Sequence, residues 1–266
     1  MSEFKRGIAN QNFITELNSN KYWKQMVKDE DLFIAIRNEY LNVYYYGQSI
    51  CKVKFVNNKI KWTSHKKYLG IDESGYAETG VYLEKIDELK RNARKHGGKE
   101  KEQVKKHILA DKILCILDVE ITFGREEGYS KRSIDYLAIE KDIDGKIKLV
   151  FYEAKHFDNS EIRANAVPKV FEQIEKYERV LTDPIHKAEI LNSYKRIYEN
   201  VQELNLNNKN NLVQLIGADI DNLEIDSEPR LIIFEINEQK RDDIHIQKLK
   251  TRFGDKRLIL KHKTLD

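Results

Sequence analysis

One strand-like run that ends in two opposite charges sets the strongest limit on how this chain can fold. The run extends from Lys148 to Lys155 and reads Lys-Leu-Val-Phe-Tyr-Glu-Ala-Lys. Because side chains alternate between the two faces of a strand, Glu153 and Lys155 continue the apolar face of Leu149 and Phe151. A carboxylate and an ammonium group are costly to bury unless they serve each other or a ligand. The run therefore predicts a core strand that carries a polar site at its end.

The preceding strand-like run, Ile134 to Ile139, repeats this arrangement. Its acid, Asp135, shares a face with the apolar side chains two and four residues further along. On adjacent strands, Asp135 and Glu153 could converge on a hard cation such as Mg²⁺, which prefers oxygen ligands and keeps several waters. Lys155 would then lie one pleat away, where it could favour deprotonation of a metal-bound water or offset charge that builds on a phosphorane. The alternative is a buried ion pair between Lys155 and one of the acids.

A helix predicted over about 167–182 follows this strand and strengthens the case. Pro168 lies in its first turn, where proline is favoured. Its apolar stripe has helical spacing and consists of Val167, Val170, Ile174, Tyr177 and Leu181. Gln173 and Tyr177 are four residues apart, hence neighbours on one flank, and could reach the site or an adjacent phosphate. The alternative is a glutamine at the margin of the core beside a partly buried tyrosine.

Taken together, these features resemble a known enzyme superfamily. Asp135, the sequence Glu153-x-Lys155 and their setting in a helix-strand-strand-strand-helix order are similar to the PD-(D/E)XK nucleases. The pattern Gln173-x-x-x-Tyr177 resembles the additional motif of the RecB-like branch of that superfamily. The resemblance implies Mg²⁺- or Mn²⁺-dependent hydrolysis of phosphodiester bonds, usually in DNA.

Carried over by position, the resemblance assigns a role to each matching residue. Three groups would bind the metal, namely Asp135, Glu153 and the backbone carbonyl of Ala154. The catalytic set would be completed by Lys155, Gln173 and Tyr177. The matched segment, about 99–182, would form most of a restriction-endonuclease-like core.

Some positions depart from the family pattern. Ile134 precedes Asp135 where the family often has proline. The pair His107-x-x-x-Asp111 could supply the histidine and acid that RecB-like members often carry on the first helix. His107 follows two lysines, however, so a surface histidine is the favoured interpretation. Simple alternation points Glu120 away from the face of Asp135 unless a bulge intervenes, and Glu120 is therefore left unassigned.

The segment from Lys90 to His107 is locally basic, with eight Lys or Arg residues against two acids. Such a stretch could neutralise backbone phosphates. The candidates for phosphate contacts are Arg94, Lys95, Lys99, Lys105 and Lys106. The alternative is an ordinary solvated surface. The net charge of the whole chain, +3, is too small to identify a nucleic-acid binder by itself.

The order of the patterned segments predicts an α/β (α+β) fold in two parts. Residues 1–78 are predicted to form a small helix plus antiparallel sheet, with a helix over 12–28 and strands over 32–36, 41–46, 50–56 and 59–63. Residues 79–266 are predicted to form a nuclease-like domain with a mixed central sheet flanked by helices. Its helices are expected over 81–96, 99–112, 167–182, 185–204 and 243–252. Its strands are expected over 113–123, 133–140, 147–155, 231–236 and 257–260, with a short apolar run over 212–216.

Composition excludes several other classes of protein. The chain has no run of about 18 apolar residues that could span a membrane, and residues 1–13 lack the apolar segment of a secretory signal. A cytoplasmic protein without a membrane partner is therefore expected. Two cysteines are too few for a disulfide framework or a Cys-based zinc site. The absence of a Gly-rich phosphate loop argues against nucleotide-driven work.

Two questions stay open at the level of sequence. A catalytically inactive nucleic-acid-binding or assembly module on the same fold is the alternative to a nuclease that hydrolyses DNA. Restriction, repair and phage-defence roles fit the chain equally well. Cutting of both strands of a duplex would favour a homodimer, because two equivalent sites are then supplied by symmetry.

Overall fold

The computed structural model describes residues 3–98, 102–104, 115–123, 133–164, 166–206 and 217–262, without the side chains of 81, 82 and 217–219. The chain forms two compact units. The N-terminal unit consists of residues 4–105 and 190–220, and the central unit consists of residues 1–3, 106–189 and 221–266. Within the described ranges, no helix has both the length and the apolar character needed to cross a membrane.

The N-terminal unit contains a five-stranded antiparallel sheet in the order β1-β2-β3-β4-β5. Its strands are β1 (Phe33–Ile36), β2 (Tyr40–Tyr45), β3 (Gln48–Val56), β4 (Lys59–His65) and β5 (Tyr76–Glu78). The helices of the first hundred residues are α1 (Gln11–Ser19), α2 (Lys21–Lys28) and α3 (Ile86–Arg94). Short 3-10 turns cover Lys66–Leu69 and Gly80–Lys85, so the helix predicted from residue 81 begins as a 3-10 turn.

The helix predicted over 12–28 is two helices, because the chain turns out of helical geometry at Asn20. The Asn20 backbone is extended, with φ −76° and ψ 127°. Its side-chain oxygen accepts hydrogen bonds from the backbone N–H groups of Tyr22 and Trp23. An asparagine that caps the next helix in this way offers the backbone an alternative to continuing the first one.

The central unit contains a mixed sheet in the order β11-β10-β8-β7-β6, with β9 beside β8. Its strands are β6 (Cys115–Ile121), β7 (Ile134–Lys141), β8 (Ile147–His156), β9 (Glu224–Ile225), β10 (Arg230–Ile236) and β11 (Leu258–His262). Strands β6, β7 and β8 are antiparallel, whereas β8 is parallel to β9 and β10. After residue 105, the described part of the chain contains the helices α4 (Lys169–Thr182), α5 (Pro184–Glu203), α6 (Glu238–Arg241) and α7 (Ile244–Arg257).

The chain therefore has a mixed α/β architecture with one antiparallel and one mixed sheet flanked by helices, as the sequence predicts. Strand β8 has neighbours on both sides and is buried along almost its whole length. The run that contains Glu153 and Lys155 is therefore a core strand, as its sequence predicts. The predicted helix over 99–112 lies outside the described residues except for 102–104, which are helical, and the apolar run over 212–216 also lies outside them.

The two compact units do not follow the boundary at residue 78 that the sequence predicts. Residues 79–105 and 190–220 lie with the N-terminal unit. Asn200 shows how distant parts of the sequence join there. Its side-chain oxygen accepts from the backbone N–H of Ile8 at 2.7 Å, and its amide nitrogen donates to the carbonyl of Ile8 at 3.0 Å.

Candidate active site

The two acids of the predicted site lie on adjacent strands and face each other. Strands β7 and β8 pair Tyr136 with Tyr152, and this antiparallel register, continued by one residue, places Asp135 opposite Glu153. The backbone N–H of Ala154 donates to Asp135 Oδ2 at 2.7 Å. The Asp135 carboxylate therefore lies against the β8 backbone at the level of the second acid.

Glu153 is the most buried member of the group, with 1% of its surface exposed. Its Oε1 atom accepts from Lys155 Nζ at 2.5 Å and from Gln173 Nε2 at 2.5 Å. Lys155 is itself only 6% exposed. The alternation of the strand thus brings the ammonium group to the carboxylate two residues earlier, and this contact forms the buried ion pair that the sequence left open as the alternative.

Helix α4 supplies the other predicted side chains. Gln173 and Tyr177 are each 5% exposed, and Gln173 Nε2 donates to Tyr177 Oη at 3.0 Å as well as to Glu153. Burial, followed by the nearby Glu153 carboxylate, raises the pKa of Tyr177 above its usual value, so its hydroxyl stays protonated at neutral pH. Gln173 Oε1 is buried and has no hydrogen-bond partner among the residues that the structure describes. The Gln173 amide is therefore fixed by its donor side, with its oxygen left for a ligand or a water.

Burial and like charge raise the pKa of the Asp135 carboxyl well above its usual value. The largest cause is burial, and the negative charge of Glu153 is the next. The Lys155 ammonium group and the Ala154 N–H oppose the rise without cancelling it. An acid pair of this kind is relieved either by a proton or by a cation placed between its members.

Lys155 has a second acidic partner that the sequence did not indicate. Lys155 Nζ lies 3.1 Å from Glu161 Oε2, and the Glu161 side chain is 28% exposed. Glu161 reaches this position because the loop after β8 folds back. Its N–H donates to Asn159 Oδ1, and its carbonyl accepts from Val170 N. No local pattern in the sequence predicts this path.

Simple alternation does not hold for Glu120, because β6 contains a bulge, the exception that the sequence left open. The register shifts between Ile116 and Asp118, so Glu120 lies between residues paired with Tyr136 and Ile134 and therefore opposite Asp135. Its backbone has a φ of 50°, which is uncommon for a residue with a side chain. Glu120 Oε2 accepts from Ser133 Oγ at 3.0 Å, and its charge also contributes to the raised pKa of Asp135.

The donor set suits Mg²⁺ better than a metal that needs a full protein cage. Among the described residues, no group of three or more His, Cys, Asp or Glu side chains is arranged to hold a metal ion. Mg²⁺ commonly uses one or two carboxylates and completes its shell with water. Asp135 and Glu153 are the two carboxylates that could serve as such ligands. Because the N–H and C=O of a strand residue share one edge, the Ala154 carbonyl lies on the edge that faces Asp135.

Of the candidates for phosphate contacts, only Arg94 and Lys95 lie among the described residues. Arg94 and Lys95 are exposed at the end of α3 in the N-terminal unit, whereas the acid pair belongs to the central unit. Arg94 Nε donates to Tyr45 Oη at 2.7 Å, and Lys95 Nζ donates to Asn92 Oδ1 at 3.3 Å. The other three candidates, Lys99, Lys105 and Lys106, lie outside the described residues, as does His107, the candidate for the family's first-helix histidine.

If the acid pair binds Mg²⁺, Gln173→Ala is expected to weaken that binding about 10-fold or more, because Glu153 loses the amide donor that fixes its orientation. Calorimetric titration of Mg²⁺ measures the change. Glu172→Ala is the matched control, since Glu172 is the preceding residue on α4 and its side chain is 69% exposed. Equal Mg²⁺ affinity in the Gln173 variant and the wild type would show that Gln173 has no influence on the acid pair.

Comparison of the chain with protein-family models, with curated proteins and with solved structures found no match in any of the three. The function is therefore inferred from the side chains that β7, β8 and α4 bring together. Those side chains form one connected group, which consists of Asp135, Glu153, Lys155, Gln173 and Tyr177.

Proposed function

We propose that this protein is a Mg²⁺-dependent nuclease of the PD-(D/E)XK type that hydrolyses phosphodiester bonds, with DNA as the expected substrate. The observation that carries the proposal is the meeting of Asp135 with the buried Glu153 and Lys155 on two adjacent strands. Two carboxylates offer a hard cation the oxygen ligands it prefers. The ammonium group offers positive charge to an anionic transition state.

The order of the elements around this group supports the same proposal. Strands β6, β7 and β8 form an antiparallel set, α4 follows β8, and β10 returns parallel to β8. This order is expected for a restriction-endonuclease-like core. Gln173 and Tyr177 on α4 contact the Glu153 side of the group, as expected for the additional motif of the RecB-like branch.

Each member of the group has a separate task in the proposed reaction. Mg²⁺, when bound, would supply Lewis acidity toward the scissile phosphate and lower the pKa of the attacking water. Asp135, Glu153 and the Ala154 carbonyl would hold the cation. Lys155 keeps its ammonium group beside Glu153 and Glu161, where it would stabilise negative charge that develops on the phosphate. Gln173 fixes the orientation of the Glu153 carboxylate.

One observation favours a second candidate, a catalytically inactive nucleic-acid-binding or assembly module. Lys155 Nζ contacts both Glu153 and Glu161, so the buried charges could balance one another without a cation. Calorimetric titration separates the two candidates. Saturable binding of Mg²⁺ or Mn²⁺ that is lost in Asp135→Ala supports the nuclease, whereas the absence of binding supports the module.

The direct test is cleavage of defined nucleic acids by the full chain. Supercoiled plasmid, linear duplex, single-stranded DNA and RNA are each incubated with Mg²⁺, with Mn²⁺ and with a chelator. Cleavage that requires the divalent ion is the expected result. Conversion of supercoiled plasmid directly to the linear form would indicate cutting of both strands, which favours a homodimer. Intact substrates under every metal condition would overturn the proposal.

A further inference from the structure

A long segment of the N-terminal unit contains lysine but no acid. No Asp or Glu occurs between Glu39 and Asp72, although the whole chain has 44 acids among 266 residues. The same segment contains six lysines, which are Lys52, Lys54, Lys59, Lys61, Lys66 and Lys67. It forms strands β2, β3 and β4, the middle of the antiparallel sheet. The charged side chains of these three strands are therefore all positive.

Four of these lysines, Lys52, Lys54, Lys59 and Lys61, lie on one face of the sheet, and Lys52, Lys54 and Lys61 are the three nearest to Tyr40. The register pairs Lys54 with Tyr40 on one side and with Lys61 on the other. Lys52 occupies the same face two residues from Lys54. The opposite face of the same strands is buried and is formed by residues such as Cys51, Val53 and Trp62. We call the group of Tyr40, Lys52, Lys54 and Lys61 the lysine face; Lys54 and Lys61 are exposed, and Tyr40 and Lys52 are half-buried.

The ring of Tyr40 brings two of the ammonium groups together. Lys52 Nζ lies 4.0 Å from the centroid of the Tyr40 ring, and Lys54 Nζ lies 5.8 Å from it. Attraction between an ammonium group and an aromatic ring restricts long side chains that would otherwise be free to move. The two charges are therefore ordered in advance, which lowers the entropy cost of contacting a ligand.

The pairing of Lys54 with Lys61 is unfavourable for the sheet alone. Like charges at directly opposite positions of an antiparallel pair are destabilising. Lys61 forms an ion pair with Glu78 at 2.8 Å, but the two side chains are 53% and 66% exposed. An exposed pair of this kind contributes little and is readily exchanged for another anion. A ligand with closely spaced negative charges would relieve the repulsion.

We propose that the lysine face binds the phosphate backbone of a nucleic-acid strand, the expected substrate class of the proposed nuclease. The identity of the ligand as a nucleic acid rests on the proposed function, whereas the preference for a polyanion rests on the charge of the face itself. Lysine contacts to phosphates release counterions, and this release gives binding a steep dependence on salt.

The test measures binding without cleavage. Full-length Asp135→Asn protein is titrated into fluorescein-labelled single-stranded DNA and into a duplex of equal length, in chelator, and anisotropy is recorded at several salt concentrations. The lysine-face variant carries Lys52→Gln, Lys54→Gln and Lys61→Gln. The matched control carries Lys21→Gln, Lys24→Gln and Lys28→Gln, which removes the same charge from the exposed surface of α2.

Loss of three phosphate contacts is expected to weaken binding of the preferred DNA about 100-fold at 0.1 M salt and to make the slope of log K against log salt shallower by about 2. The control should bind as the parent does. Equal weakening in both triple variants, or unchanged binding in the lysine-face variant, would overturn the proposal. Competition by polyglutamate as effective as that by unlabelled DNA would also overturn it and indicate an acidic protein instead.

The binding test of the lysine face and the cleavage test of the proposed nuclease can fail independently. A wild-type protein that cleaves nothing but binds DNA through the lysine face would defeat the proposed function and keep this inference. A wild-type protein that cleaves DNA, with a lysine-face variant that binds and cleaves equally well, would keep the proposed function and defeat this inference.

Discussion

Lys155→Met is expected to lower the rate of DNA cleavage by about 10²–10³-fold while Mg²⁺ binding persists. Methionine keeps an unbranched apolar stem but removes the ammonium group that contacts Glu153 and Glu161. In the metal-free variant the buried Glu153 carboxylate loses a neutralising partner, so Mg²⁺ should bind equally well or more tightly. Single-turnover cleavage of plasmid gives the rate, and calorimetric titration gives the Mg²⁺ affinity.

The control for this variant is Lys148→Met, at the other end of β8. Lys148 pairs with Asp142 at 2.8 Å, and its side chain is 31% exposed. Its replacement removes one lysine from the same strand without touching the acid pair, and cleavage should remain at the wild-type rate. A Lys155→Met protein that cleaves within threefold of wild type would show that the ammonium group takes no part in the reaction.

The part of the site that the sequence predicts depends on local periodicity alone. Alternation along one strand is enough to place Glu153 and Lys155 on a common face, and their contact follows at once. Helical spacing is likewise enough to make Gln173 and Tyr177 neighbours. What the periodicity cannot supply is the contact between the helix and the strand, which depends on how α4 packs on β8.

The features that the sequence did not predict depend on interrupted periodicity or on distant contacts. A single bulge in β6 reverses the facing of Glu120, and nothing in the apolar pattern of that strand marks the position. Glu161 reaches Lys155 only because of the course of a loop. The two bonds between Asn200 and Ile8 join residues 192 apart in sequence, so the pattern of neither segment indicates the other.

Asp135→Asn is expected to abolish metal-dependent cleavage and, at the same time, to stabilise the metal-free protein at neutral pH. Cleavage is lost because the amide replaces an anionic ligand of the cation. The fold is retained, since the amide oxygen can still accept from the N–H of Ala154. The gain in stability arises because the amide carries no charge in a place where burial and Glu153 disfavour one. Its size should be on the order of 1 kcal/mol, which raises Tm by roughly 2–4 °C.

The direction of the Asp135 pKa shift determines how the stability difference between Asp135→Asn and wild type changes with pH. The folded-state pKa lies above the ordinary value of 3.8, so the folded protein holds a proton that the unfolded chain has released. The free energy of unfolding therefore falls as pH rises from about 3.8 through the folded-state pKa, and the full cost is present above it. The difference in Tm between Asp135→Asn and wild type should thus be absent at the acidic end and grow toward neutral pH.

A control and a metal titration make this prediction specific to the acid pair. Asp142→Asn should have the opposite sign, because a hydrogen bond from Lys148 lowers the pKa of Asp142, and the charged form is the favourable one there. Mg²⁺ should raise the Tm of wild type by mass action and leave that of Asp135→Asn nearly unchanged. Wild type should therefore have the lower Tm without Mg²⁺ and the higher Tm with it. An Asp135→Asn protein that melts below wild type at neutral pH without metal would show that the Asp135 carboxylate is held by compensating charges. In that event the site would have no need of a cation.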